Sequence, residues 1–190
     1  MRPAGPPDSA ERGSRTPLRV ARAGPPGFHE AMTGTGTDTT SVVVERRVDA
    51  SPGRVWESIT DLRDMPRVLS GVERVEVLTE GGFGVGTRWR ETRRMLGKEA
   101  TEVMTVTECE PPDRYVTVAD SHGMHYASEI TLTPDGTGAT VLRMSFSARP
   151  VRGRRPGFLA KLMARFGAKA VAKALTKDLT EIANAVESRT

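Results

Sequence analysis

The stretch WRETRRMLGKEATEVM, Trp89 to Met104, reads as two β-strands folded back at Leu96-Gly97, a turn-forming pair between runs of strand-compatible residues. With that turn, the numbers of directly opposed residues sum to 193, which predicts the pairs Trp89/Met104, Glu91/Glu102 and Arg93/Ala100 on one face. The other face carries Arg90/Val103, Thr92/Thr101 and Arg94/Glu99. A Thr–Thr pair and an opposite-charge pair suit solvent. The face with Trp89 is therefore expected to point inward, and it sets two carboxylates against each other.

Working outward, turn chemistry separates further strands. EGGFGVG, LG, EPPD, SHG and PDGTG punctuate strands expected at Val72–Thr79, Thr87–Met95, Lys98–Cys109, Arg114–Asp120, Met124–Thr133 and Ala139–Ala148. Upstream, Ser41–Val48 places Val42, Val44 and Val48 on one strand face. DASPGRVWESITDL then starts a helix with Ser51 at the N-cap, Pro52 in the first turn and an apolar stripe of Val55, Trp56 and Ile59. A second short helix is expected over Met65–Leu69, and a long amphipathic helix from about Gly157 to Ser188. Strands joined by tight turns form an antiparallel meander, and only the last helix is long enough to cover its apolar face. The expected class is α+β: a seven-stranded curved antiparallel sheet wrapped on a long C-terminal helix, with a space between them.

These residues resemble the SRPBCC or START-like superfamily (Bet v 1-like helix-grip fold), in its polyketide cyclase/dehydrase and lipid-transport branch. The resemblance runs from Ser41 to the C-terminus and rests on VDASPGRVWESITD, MPRVLSGVERVEVL, VGTRWRE, VTECEPPDRY and the final helix, with EGGFGVGT similar to the cavity-mouth loop of plant pollen-allergen relatives. It implies a helix-grip domain enclosing an apolar cavity for lipids, polyketides, hormones or quinones, without implying one chemistry. Two functions follow as expectations. The first is acid–base cyclisation or dehydration of a polyketide-like molecule. The second is a carrier of lipid or quinone with no chemistry.

On the expected inner face, Glu91, Glu102 and Arg93 form a polar island. Two carboxylates close together in low dielectric cannot both stay cheaply ionised, so they are candidates for proton transfer, with Arg93 as charge anchor and Tyr126 as hydrogen-bonding partner. The expected ligand-binding wall comprises Trp89, Met104, Val118 (with Val116), Ser128, Ile130, Leu142, Met144 and Phe146 from the sheet, and Leu162, Phe166, Ala170 and Ala174 from the helix. Small residues at Gly167, Ala168, Ala170 and Ala174 are expected to leave space.

Other classes find less support. His122 and His125 in SHGMH stand three apart, which on a strand puts them on opposite faces, so His122 reads as a turn residue and His125 as an outward one, with no metal site and no cofactor expected. GGFGVG joins two strands and does not open a helix, so it is not a phosphate loop. The lone Cys109 excludes an internal disulfide. From Arg143 to Lys177 there are ten Lys or Arg residues and no Asp or Glu. Lys161, Arg165, Lys169, Lys173 and Lys177 form a basic row on the final helix, facing solvent or contacting an acyl-carrier protein or an anionic membrane surface. No aromatic residues are interleaved as nucleic-acid binding would require.

Residues 1 to about 40 mix Pro, Gly, Ser, Thr and Arg with almost no large apolar residue and are expected to be a disordered tail before a single domain, 41–190. Met32 is a second candidate start. No apolar run is long enough to span a bilayer and MRPAGPPDSAERGS lacks a signal-peptide apolar region, so a cytoplasmic location is expected. Removing residues 1–38 is expected to leave the melting temperature unchanged. A drop of several degrees on truncation would show that the tail docks.

Overall fold

The computed structural model describes residues 40–95, 98–121, 123–136, 138–151 and 158–189, with side chains throughout these except at 40, 95, 98 and 158–166. The expected tail up to residue 39, His122, and the side chains of Leu162, Phe166, Lys161 and Arg165 lie outside the described part.

Seven strands and three helices follow one another as β1 (Thr40–Val48), α1 (Pro52–Thr60), α2 (Met65–Val68), β2 (Val72–Val77), β3 (Arg88–Met95), β4 (Lys98–Glu110), β5 (Arg114–Ser121), β6 (Met124–Asp135), β7 (Ala139–Pro150) and α3 (Phe158–Glu187). They form one antiparallel sheet in the order β1-β7-β6-β5-β4-β3-β2. The first strand pairs with the last, from Thr40↔Ala148 to Val48↔Thr140, so β1 and β2 become opposite edges and α1–α2 carry the chain between them. No helix among the described residues is long and apolar enough to cross a membrane.

The β3–β4 register is the expected one throughout, with Trp89↔Met104, Glu91↔Glu102 and Arg93↔Ala100. On the opposite face Thr92 and Thr101 share a hydrogen bond of 2.9 Å, and Arg94 donates to Glu99 at 3.0 Å. Val42, Val44 and Val48 are buried as the alternation requires. Helix α1 has Pro52 in its first turn and buries Val55 and Ile59, while Ser51 occupies the N-cap without a side-chain capping bond. The alternative to water for its neighbouring corner comes from β7: Thr140, fully buried, donates to the Ala50 carbonyl at 2.7 Å.

Two expectations need correction. The C-terminal helix is interrupted at Gly167, whose φ of 72° and ψ of 175° is a conformation that essentially only glycine adopts without strain. The second concerns β5, where Tyr115, Thr117 and Ala119 are buried and Val116 and Val118 face the other way, paired with Glu129 and Ala127. A register shift between Val106 and Glu108 is the reason: β4 buries Val106 opposite Thr117, and past the irregularity Cys109 stands opposite Tyr115.

Thr140→Val preserves shape but removes the donor to the Ala50 carbonyl. Urea unfolding is expected to show a loss of about 1–3 kcal/mol, the usual consequence of stripping a buried group of its hydrogen-bond partner. An unchanged midpoint would mean that the corner is held by packing alone.

Candidate ligand cavity

Between the concave face of the sheet and α3 lies a cavity of about 200 Å³. Helices α1 and α2 and the residues after them close one side with Ser58, Ile59, Met65, Val68 and Leu69. From α3 come Val171, Ala174, Leu175, Asp178 and Ile182, spaced as one helical stripe. The sheet supplies alternate residues: Trp89, Glu91 and Arg93 on β3, Ala100, Glu102 and Met104 on β4, Tyr115, Thr117 and Ala119 on β5, Tyr126, Ser128 and Ile130 on β6, and Met144 and Phe146 on β7.

Most of the expected wall is therefore here: Trp89, Met104, Tyr126, Ser128, Ile130, Met144, Phe146 and Ala174 line the space together with Glu91, Arg93 and Glu102. Val118 does not, because it occupies the outer face. Leu142 is fully buried in solid core, opposite Leu132 on β6, and does not border the cavity. Ala170 is half-buried and falls outside the helical stripe, which runs from Val171. On the described outer surface, His125 approaches Asp120 at 2.8 Å, and Lys169, Lys173 and Lys177 are exposed.

The carboxylate pair is not symmetric. Glu91 is 9% exposed and both its oxygens are engaged: Trp89 Nε1 donates to one at 3.0 Å and Arg93 Nε to the other at 2.5 Å. Trp89, Glu91 and Arg93 stand at alternate positions of β3, so one strand face builds this chain of contacts. Arg93 then reaches across the cavity wall to Asp178 of α3, donating from a terminal nitrogen at 2.7 Å. Glu102, half-buried and directly opposite Glu91, has no hydrogen-bond or ion-pair partner among the described residues.

Burial by itself would lower the basicity of Arg93, but the charges of Glu91 and Asp178 and their hydrogen bonds outweigh it and hold the guanidinium above its ordinary value. Burial pushes the Asp178 carboxyl up, with Arg93 opposing and Glu91 and Glu181 adding to the rise. Tyr115 is also pushed up, by burial first and then by the Glu91 charge, so its phenol stays neutral and can donate a hydrogen bond. Tyr115 is braced from behind by the glycine-rich loop: Phe83 lies edge-on to it at 5.0 Å and to Trp56 at 6.1 Å, and Trp56 meets Tyr115 at 5.8 Å. Among the described residues, no group of His, Cys, Asp and Glu is placed to hold a metal ion.

Sequence reasoning missed Asp178, Tyr115, Thr117 and Ser58. Asp178 had a signal, since it stands four residues after Ala174 on the apolar stripe of a helix otherwise rich in lysine. The β5 residues had none, because the irregularity that turns that strand leaves no mark in the local pattern.

A family model for polyketide cyclase / dehydrase and lipid transport matches residues 39–187. The chain belongs to this family. By sequence, no characterised protein matches the chain at a significant level. Among solved structures, this polyketide cyclase/dehydrase and lipid-transport family member is similar to the Zhui aromatase/cyclase from a Streptomyces species, with 19% identity, a TM-score of 0.65 and coverage of 80% of this chain and 95% of that one. A START superfamily protein from Mycobacterium smegmatis gives 16% identity and a TM-score of 0.64 over 79% of this chain and 99% of that one. Norcoclaurine synthase from Thalictrum flavum gives 18% and 0.60 over 84% and 96%. At these identities the likeness establishes the START/Bet v 1-like fold, and the chemistry must come from the cavity.

The asymmetry makes a sharp prediction. Glu91→Gln keeps an acceptor for Trp89 but removes the charge that holds Arg93, and is expected to lose about 1.5–3 kcal/mol, the worth of a hydrogen bond to a charged group. Glu102→Gln removes a like-charge neighbour and is expected to gain about 0.2–1 kcal/mol. Thermal or urea unfolding of the two variants reads the sign directly, and equal responses would show that the carboxylates share one environment.

Proposed function

We propose that this protein binds a small, mostly apolar, ring-bearing molecule in the cavity and acts on it by acid–base chemistry, as a cyclase or dehydrase without metal. The observation that carries the reading is Glu102: a carboxyl with no hydrogen-bond or ion-pair partner among the described residues, on the wall of a mostly apolar cavity, opposite a carboxylate that is tied down. Family membership and the cyclase among the structural neighbours support the same class.

The division of labour follows from the contacts. Glu91, Arg93 and Asp178 are positioning groups, since each is engaged with the others. Glu102 exchanges the proton. In a ring closure followed by loss of water, it removes a proton from the carbon next to a carbonyl, and the resulting enol carbon bonds to a second carbonyl carbon. That proton passes from Glu102 to the alkoxide oxygen so formed, giving a hydroxyl; Glu102 then takes the second proton from the same carbon and gives it to the hydroxyl, which leaves as water as the carbon–carbon double bond forms. Tyr126 and Tyr115 hydrogen-bond the carbonyl oxygens on which charge develops.

The cavity volume restricts the substrate. About 200 Å³ is modestly more than the ~150 Å³ that accommodates benzene, which suits one or two rings. Longer or polycyclic molecules would have to project from it. A second reading, a carrier without chemistry, is favoured by the lining itself, which among the described residues contains no histidine, lysine or cysteine. In that case the exposed Lys169 and Lys173 would meet an acyl-carrier protein or an anionic membrane at which cargo is exchanged.

Native mass spectrometry of protein taken from its host weighs the occupant, and a neutral fluorescent probe such as N-phenyl-naphthylamine reports the space. Ala174→Trp is expected to abolish probe binding by filling the cavity. With the ligand known, Glu102→Gln is expected to lower turnover by roughly 10²–10⁴-fold while leaving the fold intact. Full turnover in Glu102→Gln would leave the carrier reading in possession. Normal probe binding by Ala174→Trp would remove the cavity as the ligand site.

A further inference from the structure

We propose that the cavity selects cations: its ligand carries a protonated amine beside its ring, held by the Glu102 carboxylate. This deepens the preceding reading and rests on the cavity being the ligand site; the ammonium engages one oxygen of Glu102 and leaves the other for the proton transfer.

Charge is the first support. The described lining residues include three carboxylates, Glu91, Glu102 and Asp178, and a single cationic side chain, Arg93. That guanidinium is committed to Glu91 at 2.5 Å and to Asp178 at 2.7 Å. Glu91 has its second oxygen on the Trp89 indole. Among the described residues no cation is left for Glu102, which faces Glu91 across neighbouring strands. A half-buried carboxylate that faces a second carboxylate and no described cation is favoured by the arrival of a counter-charge. The carboxylates are not grouped closely enough to chelate a metal ion, so the geometry suits a single organic ammonium on Glu102.

Hydroxyl placement is independent of charge and points the same way. Tyr115, Thr117 and Ser128 are 6%, 4% and 9% exposed, and all three line the cavity. Their hydroxyls are open to the cavity and are not taken up by hydrogen bonds to other described residues, so they are free to meet a ligand. Thr117 and Ser128 are direct cross-strand neighbours, which sets two hydroxyls side by side on the cavity floor. Together they call for a ligand with polar groups on one side of its ring. The aromatic faces nearby add attraction for a cation that hydroxyls alone would not provide: Tyr126 stacks on Phe146 at 6.1 Å, and both rings border the space.

An anionic ligand would meet three carboxylates, so the same arrangement disfavours free fatty acids. A neutral one fills the space but leaves Glu102 uncompensated. The order of affinity is therefore cation, neutral molecule, anion.

Three one-ring probes of nearly equal size test this by isothermal titration at neutral pH: phenethylamine, which is protonated there, phenethyl alcohol and hydrocinnamate. Phenethylamine is expected to bind at least about tenfold more tightly than the alcohol, as one charge-assisted hydrogen bond would give, and hydrocinnamate most weakly. In Glu102→Gln the amine is expected to lose its advantage over the alcohol. Equal binding of amine and alcohol by the unsubstituted protein, preference for hydrocinnamate, or an amine preference that survives Glu102→Gln would each overturn the proposal. The ranking on the unsubstituted protein needs no variant, so a misfolded Glu102→Gln cannot shelter it. If the neutral naphthylamine probe binds and the amine shows no advantage, only the cation preference fails. If no probe binds, the cavity reading fails with it.

Discussion

Arg93 is the joint between the two halves of the fold. Its guanidinium holds Glu91 on the sheet and Asp178 on α3, so the helix is tied to the sheet at the cavity wall and not only by apolar packing farther along. A buried ion cluster contributes little net stability once desolvation is counted, and removing one member is severe. Its better-attested value is in specifying arrangement. Here it fixes the rotation of α3 about its own axis, because Asp178 must meet Arg93, and that rotation brings Val171, Ala174, Leu175 and Ile182 to the cavity.

Space survives because the packed parts are elsewhere. Leu142, Leu179, Val42, Val48 and Val55 are fully buried, and they form a solid base in which each large side chain contributes about 1.5–3 kcal/mol by its burial. The aromatic group of Trp56, Phe83, Trp89 and Tyr115 supports another wall. With these two regions carrying the hydrophobic stabilisation, the stretch over Ala100, Ala119 and Ala174 can remain unfilled. Small side chains on three different elements face the same volume, which no single-element pattern would announce.

The same separation explains how a carboxylate with no partner among the described residues is tolerated. Glu102 sits on a strand whose register is held by the outer Thr92–Thr101 and Arg94–Glu99 contacts, so its position is imposed by neighbours whose interactions are favourable. A side chain can then be held where folding alone would not place it.

Period-two patterning and turn chemistry are local properties, and they sufficed for the meander of consecutive strands, the β3–β4 register and the inward facing of Trp89, Glu91 and Glu102. The entry helix with Pro52, and the family to which residues 39–187 belong, were equally legible, because short-range spacing encodes them. What the chain could not disclose locally was set by contacts between distant segments. An irregularity in β4 turned β5, replacing the two valines with Tyr115, Thr117 and Ala119. The break at Gly167 and the pull of Arg93 chose the helical face, admitting Asp178 and leaving out Ala170. The difference between Glu91 and Glu102, identical in residue type and opposite in register, exists only in three dimensions. It arises because one of the two lies within reach of an indole and a guanidinium, and the other does not.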